Sequence, residues 1–322
     1  MESAIIMTSI CLTFSSKCNI SCAHCCFSCG PHSEDHLSEE QSVKIVDDAI
    51  ANAHVNSIGF SGGEALLHRN LLLSLMKRAS EGNLKTTLVS NGFWGHSVAN
   101  AQNILTLLKN AGLSTLTLSF DEFHEKFIPT QRIINILQAN KYIGIPCHIS
   151  MAVTKDHTGE ELIHDLGEAG FTIPITRFPV VPVGAAAQLP KENIYSHYDA
   201  NDPLICPGLQ ITYHFNGDVY PCCSPAVFHT CLSIGEVSNT PTHTALERVS
   251  RNKLFALMQR IGLRGIAEIC KEHGIGPDLT KVPVVDPCDL CRKIFANSKT
   301  LEALLPYIDQ AYRKTLPDKV QS

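Results

Sequence analysis

Five cysteines lie within twelve residues, in the polar, glycine-ended stretch from Lys17 to Gly30. Thiolates crowded this closely repel one another unless a metal neutralises them, so the pattern predicts a metal ion or a metal cluster. Three residues separate Cys18 from Cys22, and two separate Cys22 from Cys25. Three thiolates on a four-iron cluster leave one iron without a protein ligand, where a small molecule can chelate, whereas four thiolates would close the site.

A closed zinc knuckle is the alternative for the same stretch. Cys22-x-x-Cys25 and Cys26-x-x-Cys29 are both zinc-type pairs. The two pairs abut, however, while zinc pairs are usually a dozen or more residues apart. The spacing therefore favours an open cluster on Cys18, Cys22 and Cys25, with Cys26 and Cys29 as extra thiols.

The whole chain has the composition of an ordinary globular protein. Its 322 residues suggest one large domain or two smaller ones, and 44% of them are hydrophobic. The net charge of −5, without a basic run, argues against a nucleic-acid partner. Fourteen cysteines without a secretory signal fit a reducing compartment, and no apolar run is long enough to span a bilayer. We therefore expect a cytoplasmic protein without a membrane partner.

Strand-like and helix-like segments alternate through the first 180 residues or so, which predicts a parallel βα architecture. Ser38-Glu-Glu-Gln41 is a capping-box pattern that opens the first helix. The expected strands are Ile10–Phe14, Val55–Phe60, Lys85–Val89, Ser114–Ser119, Ile145–Val153 and Phe171–Arg177. The first expected helix runs from Ser38 to about Ala53. The other expected helices are Arg69–Ser80, Val98–Asn110, Arg132–Asn140 and Glu160–Ala169. Six such units are too few for a closed eight-stranded barrel.

The alternation of strand-like and helix-like segments ends after Phe178, where prolines and small residues predict a linker over 181–205. Residues 211–220 predict a β-hairpin with an Asn216-Gly217 turn. Helical patterns follow over Thr244–Ile261, Ile266–His273 and Lys299–Arg313.

A second cysteine set surrounds this hairpin. Cys206 and Cys222 bracket Gly217, with ten and then four residues between successive members, and Cys288-x-x-Cys291 comes much later. On spacing alone, these four cysteines could bind zinc or an iron–sulfur cluster.

Polar and glycine residues follow three of the expected strands. Gly62-Gly63-Glu64 comes after the second, Asn91 after the third, and Ser119 ends the fourth. Because parallel strands place their ligand loops at the carboxyl edge, these side chains should reach one mouth. Ordinary turn formation is the alternative explanation for all of them.

The Cys-x3-Cys-x2-Cys loop, with Ser61-Gly-Gly-Glu64 downstream, resembles the radical S-adenosylmethionine (SAM) enzymes. The resemblance implies an α/β fold, a partial (β/α)6 TIM-like barrel, with a [4Fe-4S] cluster on Cys18, Cys22 and Cys25. SAM would chelate the fourth iron, and its reductive cleavage would give a 5′-deoxyadenosyl radical that abstracts hydrogen. The Gly-Gly-Glu motif would bind the amino group of SAM. A carboxylate can accept a charge-assisted hydrogen bond from the SAM ammonium.

The second cysteine set resembles the twitch domain, a shortened SPASM extension of radical SAM enzymes. It implies an auxiliary [4Fe-4S] cluster on Cys206, Cys222, Cys288 and Cys291 in a small α+β domain. The implied organisation is a barrel over 1–180, a linker over 181–205, a twitch domain over 206–295 and a C-terminal helix over 296–322.

Several stretches resemble one subgroup, the epipeptide epimerases, which convert L-residues of a ribosomal peptide to D-residues. They are Cys25-Cys-Phe-Ser-Cys29, Ser90-Asn-Gly-Phe-Trp-Gly95, Met151-Ala-Val-Thr-Lys-Asp156, Phe178-Pro179, Val183-Gly-Ala-Ala186 and Tyr220-Pro-Cys-Cys-Ser-Pro-Ala226. The resemblance implies that the thiol at Cys223 returns hydrogen to the substrate. If Cys222 ends a strand and ligates the cluster, alternation should turn Cys223 the other way, towards the barrel mouth.

The partners implied are a ribosomal precursor peptide and an electron donor such as flavodoxin or ferredoxin. A dehydrogenase, a peptide-crosslinking enzyme and an aminoglycoside epimerase are alternatives within the superfamily. A non-catalytic iron–sulfur sensor is the alternative outside enzymes.

Overall fold

One mixed sheet of nine strands organises the protein, with strand order β6-β5-β4-β3-β2-β1-β7-β8-β9. The computed structural model describes residues 8–316. The start of the expected barrel (1–7) and the end of the expected C-terminal helix (317–322) lie outside the described residues. The strands are β1 Thr8–Thr13, β2 Val55–Ser61, β3 Lys85–Ser90, β4 Leu113–Ser119, β5 Cys147–Val153, β6 Ile175–Pro179, β7 Thr212–His214, β8 Asp218–Tyr220 and β9 Gly235–Glu236. Strands β1 to β6 pair in parallel with their sequence neighbours, as expected for a partial (β/α)6 barrel.

Most helices that precede the β7–β8 hairpin in the chain pack against the outer face of this sheet. Most helices that follow the hairpin pack around a second hydrophobic core. The helices are α1 Glu39–Ile50, α2 Arg69–Glu81, α3 Val98–Asn110, α4 Glu122–Glu125, α5 Thr130–Ile143, α6 Glu160–Asp165, α7 Gly167–Gly170, α8 Thr242–Ser250, α9 Lys253–Arg260, α10 Gly262–Glu272, α11 Pro287–Phe295 and α12 Ser298–Lys314. None of the helices within residues 8–316 combines the length and the apolar character needed to cross a membrane.

Strand alternation sets which residues face the helices. Ile10 and Leu12 of β1 are fully buried in the core between the sheet and helices α1 to α5. Cys11 and Thr13 therefore point to the opposite, concave face of the sheet. The capping box at the start of α1 is confirmed, because Ser38 Oγ accepts from Gln41 N and Gln41 Oε1 accepts from Ser38 N.

The hairpin β7–β8 extends the barrel sheet, since β7 pairs in parallel with β1. A second hydrophobic core, centred on Leu257, Leu290 and Phe295, lies under helices α9 to α12. Strands β1 to β6 and strands β7 to β9 belong to one continuous sheet. The domain boundaries expected near residues 180 and 205 stay a prediction.

Two expected helices are interrupted. Glu160–Ala169 breaks after Asp165, where Gly167 has a left-handed φ of 54°. The helix expected over Thr244–Ile261 breaks at Asn252, whose side chain caps α9 by accepting from Leu254 N. The last expected parallel strand begins later than predicted, at Ile175, directly after Pro174.

Candidate active site

The stretch from Ser15 to His36 forms the cluster loop between β1 and α1, and backbone hydrogen bonds fold it back on itself. Cys18 N donates to Gly30 O at 3.1 Å, and Ser16 N donates to Asp35 O at 2.8 Å. The loop also rests on the turn after β2, where Gly63 N donates to Ser15 O at 2.7 Å. A Cβ on Gly63 would lie 2.2 Å from Lys17 O, so only glycine permits this approach.

Cys18, Cys22 and Cys25 line one wall of a cavity of about 310 Å³ at the carboxyl edge of the sheet. Burial raises the pKa of Cys18 to about 11 and raises that of Cys22 further, and the neighbouring thiols add to both shifts. Gathering three thiolates here is therefore unfavourable without a cation, and their convergence fits a metal cluster.

Glu64 does not reach this cavity. Its side chain is 1% exposed, and Oε2 accepts from Asn91 N at 2.8 Å while Oε1 accepts from Leu66 N and Ser90 Oγ, both at 3.0 Å. Burial raises the pKa of Glu64 to about 7. The expected contact of the Glu64 carboxylate with the SAM amino group stays a prediction, and internal donors engage both of its oxygens in this structure. The carboxylate ties the end of β2 to the end of β3.

The other expected strand-end residues do line the cavity, namely Gly62, Gly63, Asn91 and Ser119. Asn91 reaches the cluster loop, since its Nδ2 donates to Asn19 Oδ1 at 3.0 Å and lies 3.8 Å from Cys18 Sγ. Strands β2 to β4 thus bring these residues to one mouth, as predicted from the parallel order.

Two histidines that line the same cavity, His24 and His124, share a buried aspartate. Asp121, 1% exposed, follows β4. Its carboxylate lies 3.3 Å from Nε2 of His24, inside the cluster loop, and 2.8 Å from Nδ1 of His124. Burial would raise the pKa of Asp121, but the two histidines hold it well below its usual range. Because Asp121 also accepts from Phe123 N and Ala152 N, its oxygens are engaged, and His24 acts as a hydrogen-bonding residue.

The second cysteine set also comes together, around a cavity of about 460 Å³ lined by Cys206, Cys222, Cys288 and Cys291. Cys288 and Cys291 lie on one face of α11, which Asp286 caps by accepting from Asp289 N at 2.8 Å. Burial is the main cause that raises the pKa of Cys222 to about 12 and that of Cys288 to about 11, with smaller contributions from neighbouring thiols and, for Cys288, from Asp286. The first turn of a helix favours thiolate at Cys288, and a metal would relieve the remaining repulsion.

Sulfur separations bear on the choice between zinc and a cluster. Tetrahedral zinc, with Zn–S bonds of about 2.3 Å, would hold its sulfurs about 3.8 Å apart. Within residues 8–316, His24, Asp121 and His124 are the one group of three potential ligands whose atoms lie within 4.8 Å of one another. Neither cysteine set is that compact, and wider spacing suits thiolates that bind separate irons.

Cys223 is separate from the four-cysteine set in its contacts. Strand β8 ends at Tyr220, and Pro221, which lacks an N–H, begins an irregular segment that carries Cys222 and Cys223. The alternation argument therefore does not apply to this pair. Cys223 is exposed at the wall of the second cavity, and its Sγ donates to Gln210 Oε1 at 2.9 Å. It also lies near Cys11, on the concave face of β1, and raises the pKa of that buried thiol.

Two residues of this region were missed from the sequence. Gln210 holds Cys223 and donates through Nε2 to Ser9 Oγ at 2.6 Å, and no local pattern indicates such a contact across 201 residues. Asp286 lines both cavities, as does Pro225. The Asp286-Pro287 pair is a helix-start signal that could have identified α11.

Comparisons with known proteins agree with this arrangement. The model of the radical SAM superfamily matches residues 12–170. The putative peptide biosynthesis protein YydG of Bacillus subtilis (strain 168) is 33% identical over 313 residues, which cover 94% of this chain and 97% of YydG.

Solved structures share the fold. Native anSMEcpe with bound AdoMet and Cp18Cys peptide superposes with a TM-score of 0.56 at 16% identity, covering 95% of this chain and 99% of the other. Streptococcus suis SuiB bound to precursor peptide SuiA superposes with a TM-score of 0.52 at 16% identity, covering 67% and 60%. With a relative this similar over nearly its whole length, the chain belongs to the radical SAM superfamily.

Proposed function

We propose that this protein is a radical SAM peptide epimerase, which inverts Cα centres of a ribosomally synthesised peptide from L to D. The observation that carries the proposal is the thiol of Cys223. It is free and exposed at a cavity wall, while its neighbour Cys222 joins the four-cysteine set. The similarity to a protein described as acting in peptide biosynthesis supports a peptide substrate.

Cys18, Cys22 and Cys25 would hold the first [4Fe-4S] cluster, and the cavity they line would take SAM. With one electron from a flavodoxin- or ferredoxin-type donor, these groups would supply a 5′-deoxyadenosyl radical, which takes a hydrogen atom from the substrate and becomes 5′-deoxyadenosine. Gly62 and Gly63 bring the β2 turn against the cluster loop, and Asn91 fixes that loop through Asn19. Ser119 offers a hydroxyl at the same wall.

Cys206, Cys222, Cys288 and Cys291 would hold an auxiliary [4Fe-4S] cluster. The donor set fits, because four thiols with raised pKa values converge on one cavity. Full ligation by four thiolates closes such a site to substrate. Its neighbour Cys223 would stay outside the set, where its thiol donates to Gln210 Oε1 at 2.9 Å.

Inversion follows from the side on which hydrogen returns. A radical at a peptide Cα is planar, so removal from one face and return from the other changes the configuration. Cys223 would give its S–H hydrogen to carbon and become a thiyl. One electron from a flavodoxin- or ferredoxin-type donor and one proton from water would then restore the thiol.

The decisive experiment follows deuterium. The substrate would be a precursor peptide encoded beside this gene, and each turnover in D2O should leave one deuterium at the inverted carbon, because a thiol exchanges with solvent. Cys223→Ala should still form 5′-deoxyadenosine but no D-residue. Cys231→Ala is a matched control, since that thiol donates to Phe295 O at 3.1 Å, within the second core.

Normal epimerisation by Cys223→Ala, or unlabelled product from D2O, would overturn the assignment. A dehydrogenase would release an oxidised peptide, a crosslinking enzyme would join two side chains, an aminoglycoside epimerase would leave the peptide unchanged, and a sensor would form no 5′-deoxyadenosine.

Metal analysis tests the two clusters separately from the reaction. Anaerobically reconstituted protein should hold roughly eight irons per chain, two four-iron units. Replacing Cys18, Cys22 and Cys25 together with Ala should remove about half the iron and all SAM cleavage. Zinc in the second site of anaerobically purified protein would contradict the auxiliary cluster.

A further inference from the structure

Strand β6 (Ile175–Pro179) forms one edge of the sheet. Among the strands of residues 8–316, it pairs with β5 alone. Its three middle residues, Thr176, Arg177 and Phe178, are exposed. A strand in this position presents a row of backbone N–H and C=O groups on the side away from its neighbour, and such a row can pair with another chain.

The register of β6 on β5 identifies the groups on that outer side. Ile149 N donates to Pro174 O, and Val180 N donates to Val153 O, both at 3.0 Å. Along a strand of a parallel ladder, the backbone groups of alternate residues point to the same neighbour. The even-numbered residues from 174 to 180 therefore turn their backbone groups towards β5, and the odd-numbered residues turn theirs outwards.

The outward groups of β6 belong chiefly to Ile175 and Arg177. Each offers one N–H and one C=O, whereas Pro179 has no N–H, so a ladder on this side would end there. The Arg177 side chain is held on the helix side of the strand, where Nη1 donates to Thr158 O at 3.3 Å and lies 3.7 Å from Glu160 Oε1. Donors and acceptors that recur every second residue are complementary to an extended peptide backbone.

The carboxyl end of β6 leads into the first cavity, beside the cluster loop. Phe178 and Pro179 line that cavity, and the Phe178 side chain is 41% exposed. Pro225 and Asp286 line both this cavity and the second one, which Cys223 lines. A peptide that follows the edge of β6 would thus reach the expected SAM site and the thiol of Cys223.

We infer that the substrate peptide binds to the outer edge of β6 as an added β-strand, with its backbone paired to Ile175 and Arg177. The inference rests on the proposed function, in which the substrate is a peptide. Backbone pairing recognises an extended shape rather than a sequence. Phe178 would contact a side chain of the added strand, and the residue to be inverted would lie beyond it, in the first cavity.

Hydrogen exchange tests this pairing directly in the wild-type enzyme. Anaerobically reconstituted full-length protein with SAM would be compared with and without the precursor peptide encoded beside this gene. Mass spectrometry that resolves single amides should show slower exchange at Ile175 and Arg177 when the peptide is bound. Two peptides N-methylated at alternate residues add a second measurement. The peptide that loses the N–H groups facing β6 should bind more weakly than the other.

A pair of variants isolates one hydrogen bond. Arg177→Pro removes an outward N–H, at a position where an edge strand tolerates proline. Arg177→Ala removes the same side chain but keeps the N–H, so it is the matched control. Arg177→Pro should bind the peptide roughly two- to tenfold more weakly than Arg177→Ala, which is the contribution of about one backbone hydrogen bond. The iron content of both variants reports whether they fold.

The outcomes separate the inference from its premise. Unchanged exchange at Ile175 and Arg177, in an enzyme that binds and epimerises the peptide, would overturn the inference and leave the proposed function standing. Equal affinities of the two iron-loaded variants, or of the two N-methylated peptides, would do the same. If Arg177→Pro loses its iron, the exchange and N-methylation results decide. A wild-type enzyme that neither binds nor epimerises the peptide would overturn the proposed function and the inference with it.

Discussion

Replacing Asp121 with Asn should destabilise the protein more than any exposed ion-pair substitution. The Asp121 carboxylate is 1% exposed and accepts from Phe123 N at 3.1 Å, Ala152 N at 3.2 Å and two histidines. An amide keeps one acceptor oxygen and turns an NH2 towards at least one of these donors. Breaking a buried, hydrogen-bonded pair in this way costs about 3–5 kcal/mol.

At about 2 °C per kcal/mol for a chain of this size, the thermal midpoint should fall by roughly 6–10 °C. The assay is thermal unfolding of anaerobic holoenzyme at one scan rate, with Asp309→Asn as control. Asp309 pairs with Lys253 at 2.7 Å, but both side chains are about half exposed, so its loss should shift the midpoint little. Equal midpoints for the two variants would refute the reasoning.

The pH dependence has a definite sign. The pKa of Asp121 lies below its usual range in the folded state, so the unfolded chain binds the proton more tightly. The stabilisation is therefore complete above the unfolded pKa of about 3.9 and is lost as pH falls through the folded value. The deficit of Asp121→Asn should stay constant from neutral pH to about pH 5 and shrink below about pH 4.

Three further predictions concern other parts of the molecule. Gly63→Ala should displace the cluster loop, because the new Cβ would meet Lys17 O at 2.2 Å, and equilibrium binding should detect weakened SAM affinity. Gln210→Leu should leave 5′-deoxyadenosine formation intact but lower the yield of D-residue per 5′-deoxyadenosine, since Cys223 loses its acceptor; an unchanged ratio would contradict this. Phe295→Ala should cost about 3–5 kcal/mol, because the ring is fully buried in the second core, and a Phe171→Ala control, 83% exposed, should unfold as the wild type does.

Most of the barrel could be predicted from the sequence because its signals are local. Alternating apolar residues and helix caps fix β1 to β5 and α1 to α3 within a few residues, and α3 runs over Val98–Asn110 as predicted. The end of the barrel was harder. Gly167 interrupts a helical pattern, and Pro174 delays β6, because single residues of this kind override the average propensity of a segment.

In the candidate site too, local sequence patterns predict some features, while tertiary contacts determine the others. Each predicted cysteine set lines one cavity, and the parallel strand order brings Asn91 and Ser119 to the first of these cavities. The SAM contact of Glu64 stays a prediction, and the sequence does not reveal that Ser90 and the Asn91 N–H donate to its carboxylate. The contact between Gln210 and Cys223 depends on tertiary packing alone.

The irregular segment after β8 offers an explanation of how two adjacent cysteines could have different roles. Pro221 cannot donate to the β-ladder, so the strand ends and the following residues no longer alternate across a sheet. Cys222 and Cys223 both line the second cavity, but the Cys223 thiol donates to Gln210, which is anchored through Ser9 to β1. The separation of a cluster ligand from a hydrogen donor would therefore come from a strand that ends at a proline and from one glutamine in the loop before β7. Because Gln210 reaches Cys223 from the loop before β7, the barrel sheet itself positions the thiol, and a substrate bound at the barrel mouth would meet a donor fixed to the same frame.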